Sequence, residues 1–295
     1  MKHNLLGIAA TLGGGAAMIA SDAFARVALQ QVPLGEVKAG RGIVACLILG
    51  TAAAVAGQLR WHARLLSLPA VLRIFADISS GLFFIAAIGR MPIGNATAIL
   101  QIIPLVTTLF AATFFGESVG WRRWTAGAVG LVGVLLILKP GTDGFTIWSL
   151  LAVAAMLCMA TRDLATSRIE KGVPTLLIGT ATAATAGVVG LTLAAGTSGI
   201  LRPSLHDAAF LLGSGMALSA GFICVVVAAR NAEFSAIAPF RYFTLLWAII
   251  IGYFAWGQIP DFYAWIGIAI VISAGLYAFA RERKVRRLAR EKVLA

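Results

Sequence analysis

Charged residues are scarce in this 295-residue chain, at 12% of the total, and cysteine and histidine occur only three times each. Cys46, Cys158 and Cys224 all fall within apolar runs and have no neighbouring histidine or CxxC partner. Neither a disulfide framework nor a zinc site is therefore expected. The P-loop motif G-x-x-x-x-G-K-[ST] is also missing, which argues against binding and hydrolysis of ATP or GTP by this chain. We expect no metal and no cofactor.

Long hydrophobic runs are abundant, since 60% of the residues are hydrophobic. A bilayer core of about 30 Å needs about 20 apolar residues in a helix. Five such runs precede the break KPGTDG and five follow it. The sequence predicts an all-α membrane protein with ten transmembrane helices, at roughly 5–28, 34–56, 70–89, 93–115, 124–138, 145–168, 174–195, 207–230, 234–256 and 262–280.

The net charge of +12 reflects membrane topology better than nucleic-acid binding, because no basic patch is interleaved with aromatic residues. Lys and Arg concentrate in every second gap between apolar runs and in the tail RERKVRRLAREK. By the positive-inside rule, both termini are predicted to be cytoplasmic in a bacterial inner membrane. The tail, residues 281–295, is predicted to contact anionic lipid.

Two stretches of the chain share a spacing. MIASDAFARVALQQVP begins at residue 18 and MATRDLATSRIEKGVP at residue 159, so Met, Asp and Pro recur 141 residues apart. The same offset relates Gly116 to Gly257 and Trp124 to Trp265. Because each half holds an odd number of spans, the second half must enter the membrane in the opposite direction. We predict inverted repeats over residues 1–140 and 141–280.

The N-terminus imitates a signal peptide, with Lys2, an apolar run and the A-x-A site Ala23-Phe24-Ala25. Cleavage there would remove Met18 and Asp22, which match residues of the second half. We expect no cleavage.

Two aspartates, Asp22 and Asp163, lie inside predicted spans, where an unpaired charge is costly. Each is expected to face protein or water and to find a partner. The gating or coupling residues are predicted to be Asp22, Arg41, Asp163 and Arg241, with Arg26 as a further outer candidate and Arg73 and Asp77 as inner ones. The alternatives are hydrogen bonding to the backbone ends of broken helices, or proton coupling.

A second polar set lies near the middle of the predicted spans. Gln101 in the fourth span corresponds to Tyr242 in the ninth by the 141-residue offset. Hydroxyl, amide, carboxylate and aromatic groups together suit a small zwitterion such as an amino acid. The predicted substrate-binding residues are Asp77, Ser80, Phe84, Gln101, Tyr242 and Trp247. The alternative is that these side chains serve only helix packing.

The stretch QIIPLVTTLFAATFFGESVGWRRWTAG resembles the fourth-to-fifth-helix signature of EamA-type transporters, in the drug/metabolite transporter superfamily. APFRYFTLLWAIIIGYFAWGQIPDFYAWIG is similar to the second EamA repeat, with Gln258 where an acid is frequent. Glu117 is interpreted as a structural cap at the end of the fourth span. The resemblance covers almost the whole chain and implies a ten-helix secondary transporter.

The resemblance and the residue chemistry together predict alternating-access transport of small metabolites, with amino-acid export favoured. Nucleoside-like or other aromatic metabolites are the alternative substrates, and a non-transporting membrane scaffold is the alternative class. An enzyme is not expected, because Ser21-Asp22 and Arg162-Asp163 differ from the Tyr-Asp and Gly-x-Gly-Asp motifs of intramembrane aspartyl proteases. The sequence leaves the oligomeric state open, and a monomer is plausible.

Overall fold

A computed structural model describes residues 2–59, 63–116, 120–140, 146–170, 172–197, 203–232 and 237–294. These residues form α-helices and two short 3-10 helices, Ala63–Leu66 and Ala238–Tyr242, with no strand among them. The predicted all-α class is confirmed. The α-helices are α1 (Lys2–Ala28), α2 (Leu34–Val55), α3 (Leu68–Arg90), α4 (Ile93–Leu100), α5 (Ile103–Phe115), α6 (Trp121–Leu138), α7 (Ile147–Ser167), α8 (Thr175–Thr197), α9 (Leu205–Asn231), α10 (Phe243–Trp256) and α11 (Phe262–Leu294).

Eight helical segments of the described chain are long and apolar enough to cross a membrane, with α4 and α5 together counting as one, Ile93–Phe115. The apolar part of α6, Trp124–Leu138, is shorter. Helix α10 has 14 residues and follows the second 3-10 helix directly. The described part of the chain thus holds ten apolar helical segments; the apolar part of α6 coincides with the predicted span 124–138, while α10 is shorter than the predicted span 234–256.

The fourth predicted span is broken in the middle rather than continuous. Gln101 and Ile102 form a turn between α4 and α5, and Pro104 lies in the first turn of α5. Proline has no N–H to give to the carbonyl four residues earlier, so it interrupts the helical ladder there. The backbone N–H groups of Gln101 and Ile102 bond instead to carbonyls three residues back. The break places Gln101 at a helix end inside the bundle.

Helices α2 and α8 pack closely through small residues. A Cβ added at Gly42 would lie 2.5 Å from the backbone nitrogen of Gly187, and one at Gly35 would lie 2.6 Å from that of Ala194. Gly50, near the other end of α2, faces Thr180. The contacts run in opposite order along the two helices, so α2 and α8 are antiparallel. Small residues permit this backbone approach, which is a common source of helix association in membranes.

This contact predicts a difference between two glycines of one helix. Gly42→Ala places a methyl against backbone that cannot yield, so we expect a loss of about 1–3 kcal/mol and a thermal midpoint lower by several degrees. Gly50→Ala is the matched control, because its Cβ would meet only the Thr180 methyl at 3.5 Å, an ordinary contact. The midpoints are measured on detergent-purified protein. Equal midpoints for the two variants would contradict the close packing.

The remaining helix pairs follow the 141-residue offset. Helix α1 packs on α9, where Ser21 and Ser214 each donate a hydroxyl hydrogen bond to the other's carbonyl, at 2.6 and 2.8 Å. Adding 141 to the residue numbers of α1 gives α7, and subtracting 141 from those of α9 gives α3. Helices α3 and α7 also pack together. Helices α6 and α11 pack antiparallel, with Gly133 against Gly267. Each packed pair therefore has a counterpart in the other half or is its own counterpart.

Two glycines end corresponding helices with the same backbone conformation. Gly116 follows α5 with φ 65°, and Gly257 follows α10 with φ 63°. This left-handed conformation is strained for residues with a Cβ, and glycine adopts it freely at helix ends. The equivalence of these glycines, first suggested by spacing alone, extends to their backbone geometry.

Candidate functional site

Seven charged side chains meet between α1, α2, α3 and α7, and we call them the charged band. The band joins residues from both halves of the chain through ion pairs, hydrogen bonds and electrostatic contacts: Asp22, Lys38, Arg41, Arg73, Asp77, Arg162 and Asp163. Such a concentration of charge inside a membrane bundle is costly, and it marks functional positions more often than it stabilises a fold.

The first pair in the band is Asp22 of α1 with Arg41 of α2. The guanidinium Nη2 donates to the carboxylate Oδ1 at 2.8 Å, and the side chains are only 11% (Arg41) and 13% (Asp22) exposed. This is the partner proposed for Asp22 on sequence grounds. Arg26, the other candidate, turns away and donates to Gln258.

The second part of the band is centred on Arg162 of α7. Its guanidinium donates to Asp77 of α3 at 2.9 Å and to the neighbouring Asp163 at 2.8 Å. Arg241, expected to approach Asp163, is an exposed residue of the 3-10 helix and has no ion pair with Asp163 among the described residues. Arg162, which precedes Asp163 in sequence, is the arginine that pairs with this carboxylate. Asp77, expected to meet a substrate ammonium, is already paired.

Arg73 of α3 completes this second part of the band. Its Nη1 donates to the hydroxyl of Thr182 on α8 at 2.9 Å, and its Nε has no hydrogen-bond partner among the described residues. It also interacts electrostatically with Asp77 and Asp163. Arg73 and Arg162 therefore connect α3, α7 and α8, while the Asp22–Arg41 pair connects α1 to α2.

A second group, the central cluster, lies around the break between α4 and α5. It comprises Phe84, Thr97, Gln101, Tyr242 and Trp247. The side-chain amide of Gln101 donates to the backbone carbonyl of Tyr242 at 3.4 Å. These two residues are 141 apart, so equivalent positions of the two halves touch each other. The Tyr242 ring points elsewhere: its hydroxyl fills the space beside Gly275 of α11, where a Cβ would overlap it.

Polar atoms of the central cluster lack partners. The hydroxyl of Thr97, a residue only 2% exposed, and the indole Nε1 of Trp247 have no hydrogen-bond partner within the described residues. Phe84 is buried in the main apolar cluster, and Trp247 packs against the same cluster. Ser80 donates to the carbonyl of Asp77. Buried polar groups are nearly always hydrogen-bonded in folded proteins, so unpartnered ones mark a place for a ligand or water.

Two arginine–aromatic contacts lie at corresponding positions in the two halves of the chain. The guanidinium of Arg26 lies 4.5 Å from the ring centroid of Trp256, and that of Arg168 lies 4.0 Å from that of Phe115. The two rings are related by the 141-residue offset. Gln258 accepts hydrogen bonds from Arg26 at 3.0 Å and from the Ile93 backbone N–H at 3.3 Å, so it caps α4. Glu117, its counterpart, lies outside the described residues.

Sequence reasoning missed two members of the charged band as site residues, Lys38 and Arg162. Both were visible as charges within or beside apolar runs. Lys38 precedes Arg41 by three residues, which places both on one face of α2. Arg162 precedes Asp163, a residue that the repeat had already singled out. A search for every charge in a span would have found both.

These observations define an integral membrane protein with a charged and partly unsatisfied polar interior. The chain belongs to the EamA-like transporter family, whose model matches residues 5–139 and again residues 146–279. The predicted resemblance is confirmed.

Several bacterial relatives have names that state a substrate. An S-adenosylmethionine uptake transporter of Rickettsia felis is 32% identical over 65% of this chain and 65% of its own length. A second one, from Rickettsia bellii, is 30% identical over 65% of this chain and 66% of its own length. A riboflavin transporter of Rhizobium johnstonii is 31% identical over 69% of this chain and 67% of its own length. The match spans just under two thirds of the length of the two Rickettsia relatives.

A solved crystal structure of another protein has the same fold. It superposes with a TM-score of 0.64 at 16% sequence identity and covers 94% of this chain and 98% of the other. The likeness extends across both halves and concerns the fold alone.

Proposed function

We propose that this protein is a secondary transporter that carries a small metabolite with a flat ring system across the bacterial inner membrane by alternating access. The observation that carries the proposal is the central cluster: Gln101 meets Tyr242 at the helix break, and the Thr97 hydroxyl and the Trp247 indole N–H have no partner among the described residues. Membership of the EamA-like family indicates that the protein is a transporter. The relatives with named substrates act on S-adenosylmethionine or riboflavin, and no comparison supports amino-acid export.

The chemistry of the central cluster suits such a substrate. Adenine and the flavin ring are flat, have π-faces and carry hydrogen-bonding edges. The rings of Phe84 and Trp247 offer stacking surfaces, while Thr97, Gln101 and the Trp247 indole N–H offer donors and acceptors. A pocket that is mostly apolar, with a few placed polar groups, is the usual design for small-molecule sites.

An inverted repeat supplies the alternating access in this proposal. Helices α2 and α8 are equivalent by the 141-residue offset and run antiparallel, and the same holds for α6 and α11. Equivalent helices run antiparallel when the axis that relates them lies in the membrane plane. Residues 1–140 and 141–280 then form two repeats, and Gln101 and Tyr242 meet at the axis between them.

The gates in this proposal lie on opposite sides of that axis. Asp22 and Arg41 hold one side, and Arg162 with Asp163 holds the other. The contacts of Arg26 with Trp256 and of Arg168 with Phe115 repeat this arrangement at the bundle corners. Opening one side while the other stays closed exposes the central cluster to one compartment at a time.

Orientation gives a direct prediction. With both termini cytoplasmic, the α1–α2 loop faces outward and the α2–α3 loop faces inward. In a background without Cys46, Cys158 and Cys224, Gln31→Cys reacts with a membrane-impermeant maleimide in intact cells. Leu59→Cys, also exposed, reacts only after permeabilisation. The reverse pattern would overturn the orientation and, with it, cytoplasmic placement of the tail 281–295, whose side chains beyond Lys284 lie outside the described part.

A substrate panel tests the proposed function. Purified protein in liposomes is offered labelled riboflavin, S-adenosylmethionine, adenosine and leucine, with protein-free liposomes as the control. We expect protein-dependent uptake of at least one flat-ring compound and none of leucine. Uptake of leucine alone would restore the amino-acid hypothesis, and uptake of none of the four would contradict the proposed substrate class.

A further inference from the structure

Lys38 is a buried cation without a direct partner. The residue is 8% exposed, and its ammonium forms no ion pair or hydrogen bond with the described residues. It interacts electrostatically with Asp22 and Asp77, but each of these carboxylates is already bonded to an arginine, Arg41 or Arg162. An ammonium is a strongly hydrated group with three donors, and an interior position without a close acceptor is costly.

The charged band as a whole leaves one positive charge in excess. Its four cations face three carboxylates, and Arg162 is shared between two of the carboxylates. Removing Lys38 from the count balances the charge of the remaining six. Two of the four cations, Arg73 and Lys38, have no carboxylate bonded to them; Arg73 donates to the Thr182 hydroxyl, whereas Lys38 has no hydrogen-bond partner among the described residues.

The position of Lys38 links the charged band to the central cluster. Its ammonium occupies the space beside the Cα of Gly81 on α3, where a Cβ would overlap it. Gly81 shares a helical face with Asp77, four residues before it, and with Phe84, three residues after it. Phe84 belongs to the apolar cluster against which Trp247 packs. The ammonium therefore lies about one helical turn along α3 from Phe84, a member of the central cluster.

We infer that Lys38 binds a carboxylate of the transported substrate, which makes it a specificity-determining residue for flat-ring metabolites that carry an acid group. This inference rests on the proposed function. A carboxylate supplies both the missing negative charge and the acceptor oxygens that the ammonium lacks. Gly81 serves the same site, because its missing side chain leaves room for the ammonium.

The test compares two substrates that differ only in this group. Proteoliposome uptake is measured for S-adenosylmethionine and for its decarboxylated analogue, with riboflavin as a carboxylate-free reference. We expect the wild type to prefer S-adenosylmethionine over the analogue by roughly tenfold or more, the range for a hydrogen bond to a charged group. In Lys38→Gln the preference falls to about one while uptake of the analogue persists.

Gly81→Ala provides a second variant that keeps every charge. Its methyl displaces the ammonium, the flexible end of a lysine side chain, so the protein should fold and yet lose the preference. Gly89→Ala is the matched control on the same helix, because its Cβ would meet only a Leu29 methyl at 3.2 Å. Gly89→Ala is expected to keep the wild-type preference.

Other outcomes separate the inference from the proposed function. Uptake of riboflavin without any preference for the carboxylate overturns the role of Lys38 and leaves the proposed function standing. Uptake by the wild type of none of these compounds, nor of adenosine, contradicts both. Replacing chloride with methanesulfonate, an anion without a carboxylate, distinguishes an inorganic anion: chloride-dependent uptake that disappears in Lys38→Gln would assign the ammonium to chloride and overturn the inference.

Discussion

Asp22→Asn is expected to destabilise the protein more than Arg41→Met, although the two changes break the same ion pair. Without Asp22, the buried guanidinium of Arg41 stays charged, because arginine is not deprotonated in proteins. Without Arg41, the Asp22 carboxyl can take up a proton and become neutral. Removing one partner of a buried pair costs about 3–5 kcal/mol, and the pair here is almost wholly enclosed. We expect the Asp22→Asn midpoint to fall by roughly 10 °C.

The double variant Asp22→Asn/Arg41→Met completes the cycle. Because both charges are removed, its midpoint is expected within a few degrees of the wild type. Asp261→Asn is the surface control: Asp261 pairs with Lys139 at a half-exposed site, where an ion pair contributes at most about 1 kcal/mol. A double variant as unstable as Asp22→Asn alone would show that the two residues do not stabilise each other.

Trp247→Leu is expected to reduce uptake of a flat-ring substrate by about 5- to 100-fold, while Trp247→Phe retains more of it. Leucine keeps apolar volume against the main cluster but removes the ring face, and stacking on an aromatic side chain contributes about 1–3 kcal/mol. Phenylalanine keeps a ring and loses only the unpartnered indole N–H. Uptake rates are measured in proteoliposomes at matched protein content.

Trp265→Leu is the control for this comparison. Trp265 lies on α11 and is 45% exposed, a position suited to lipid contact. Its replacement is expected to leave uptake within about twofold of the wild type, since rings on the lipid-facing surface do not meet the substrate. If Trp247→Leu and Trp265→Leu reduced uptake equally, the central cluster would not be the substrate site.

Spacing in the sequence predicted much of the helical order. The 141-residue offset related Gln101 to Tyr242 and Gly116 to Gly257, and the structure gives the first pair a direct contact and the second the same backbone angles. The offset holds at these positions because no net insertion separates them, although the ends of corresponding helices differ. The break after Leu100 was missed, although Pro104 signalled it.

Partners across helices were harder to predict. Periodicity states which face of its own helix a residue occupies, but the neighbour of that face depends on how the helices are ordered and rotated. The candidates for Asp163 were therefore Arg73, Asp77 and Arg241, whereas its ion pair is with Arg162. The offset related Tyr242 to Gln101, yet the Tyr242 ring turns towards Gly275 and only the Tyr242 carbonyl meets Gln101. A sequence repeat relates positions along the backbone, and it does not predict the direction of a side chain at a helix break.

Counterflow tests the central claim, alternating-access transport of a flat-ring metabolite, most directly. Proteoliposomes are loaded with unlabelled riboflavin or S-adenosylmethionine and diluted into a trace of the same labelled compound. In a carrier whose substrate-bound form reorients across the membrane faster than its empty form, labelled substrate accumulates inside the liposomes transiently above its equilibrium level. We predict this overshoot for at least one of the two compounds, and its loss in Trp247→Leu. Label that only rises to equilibrium, or that matches protein-free liposomes for both compounds, would contradict the proposal.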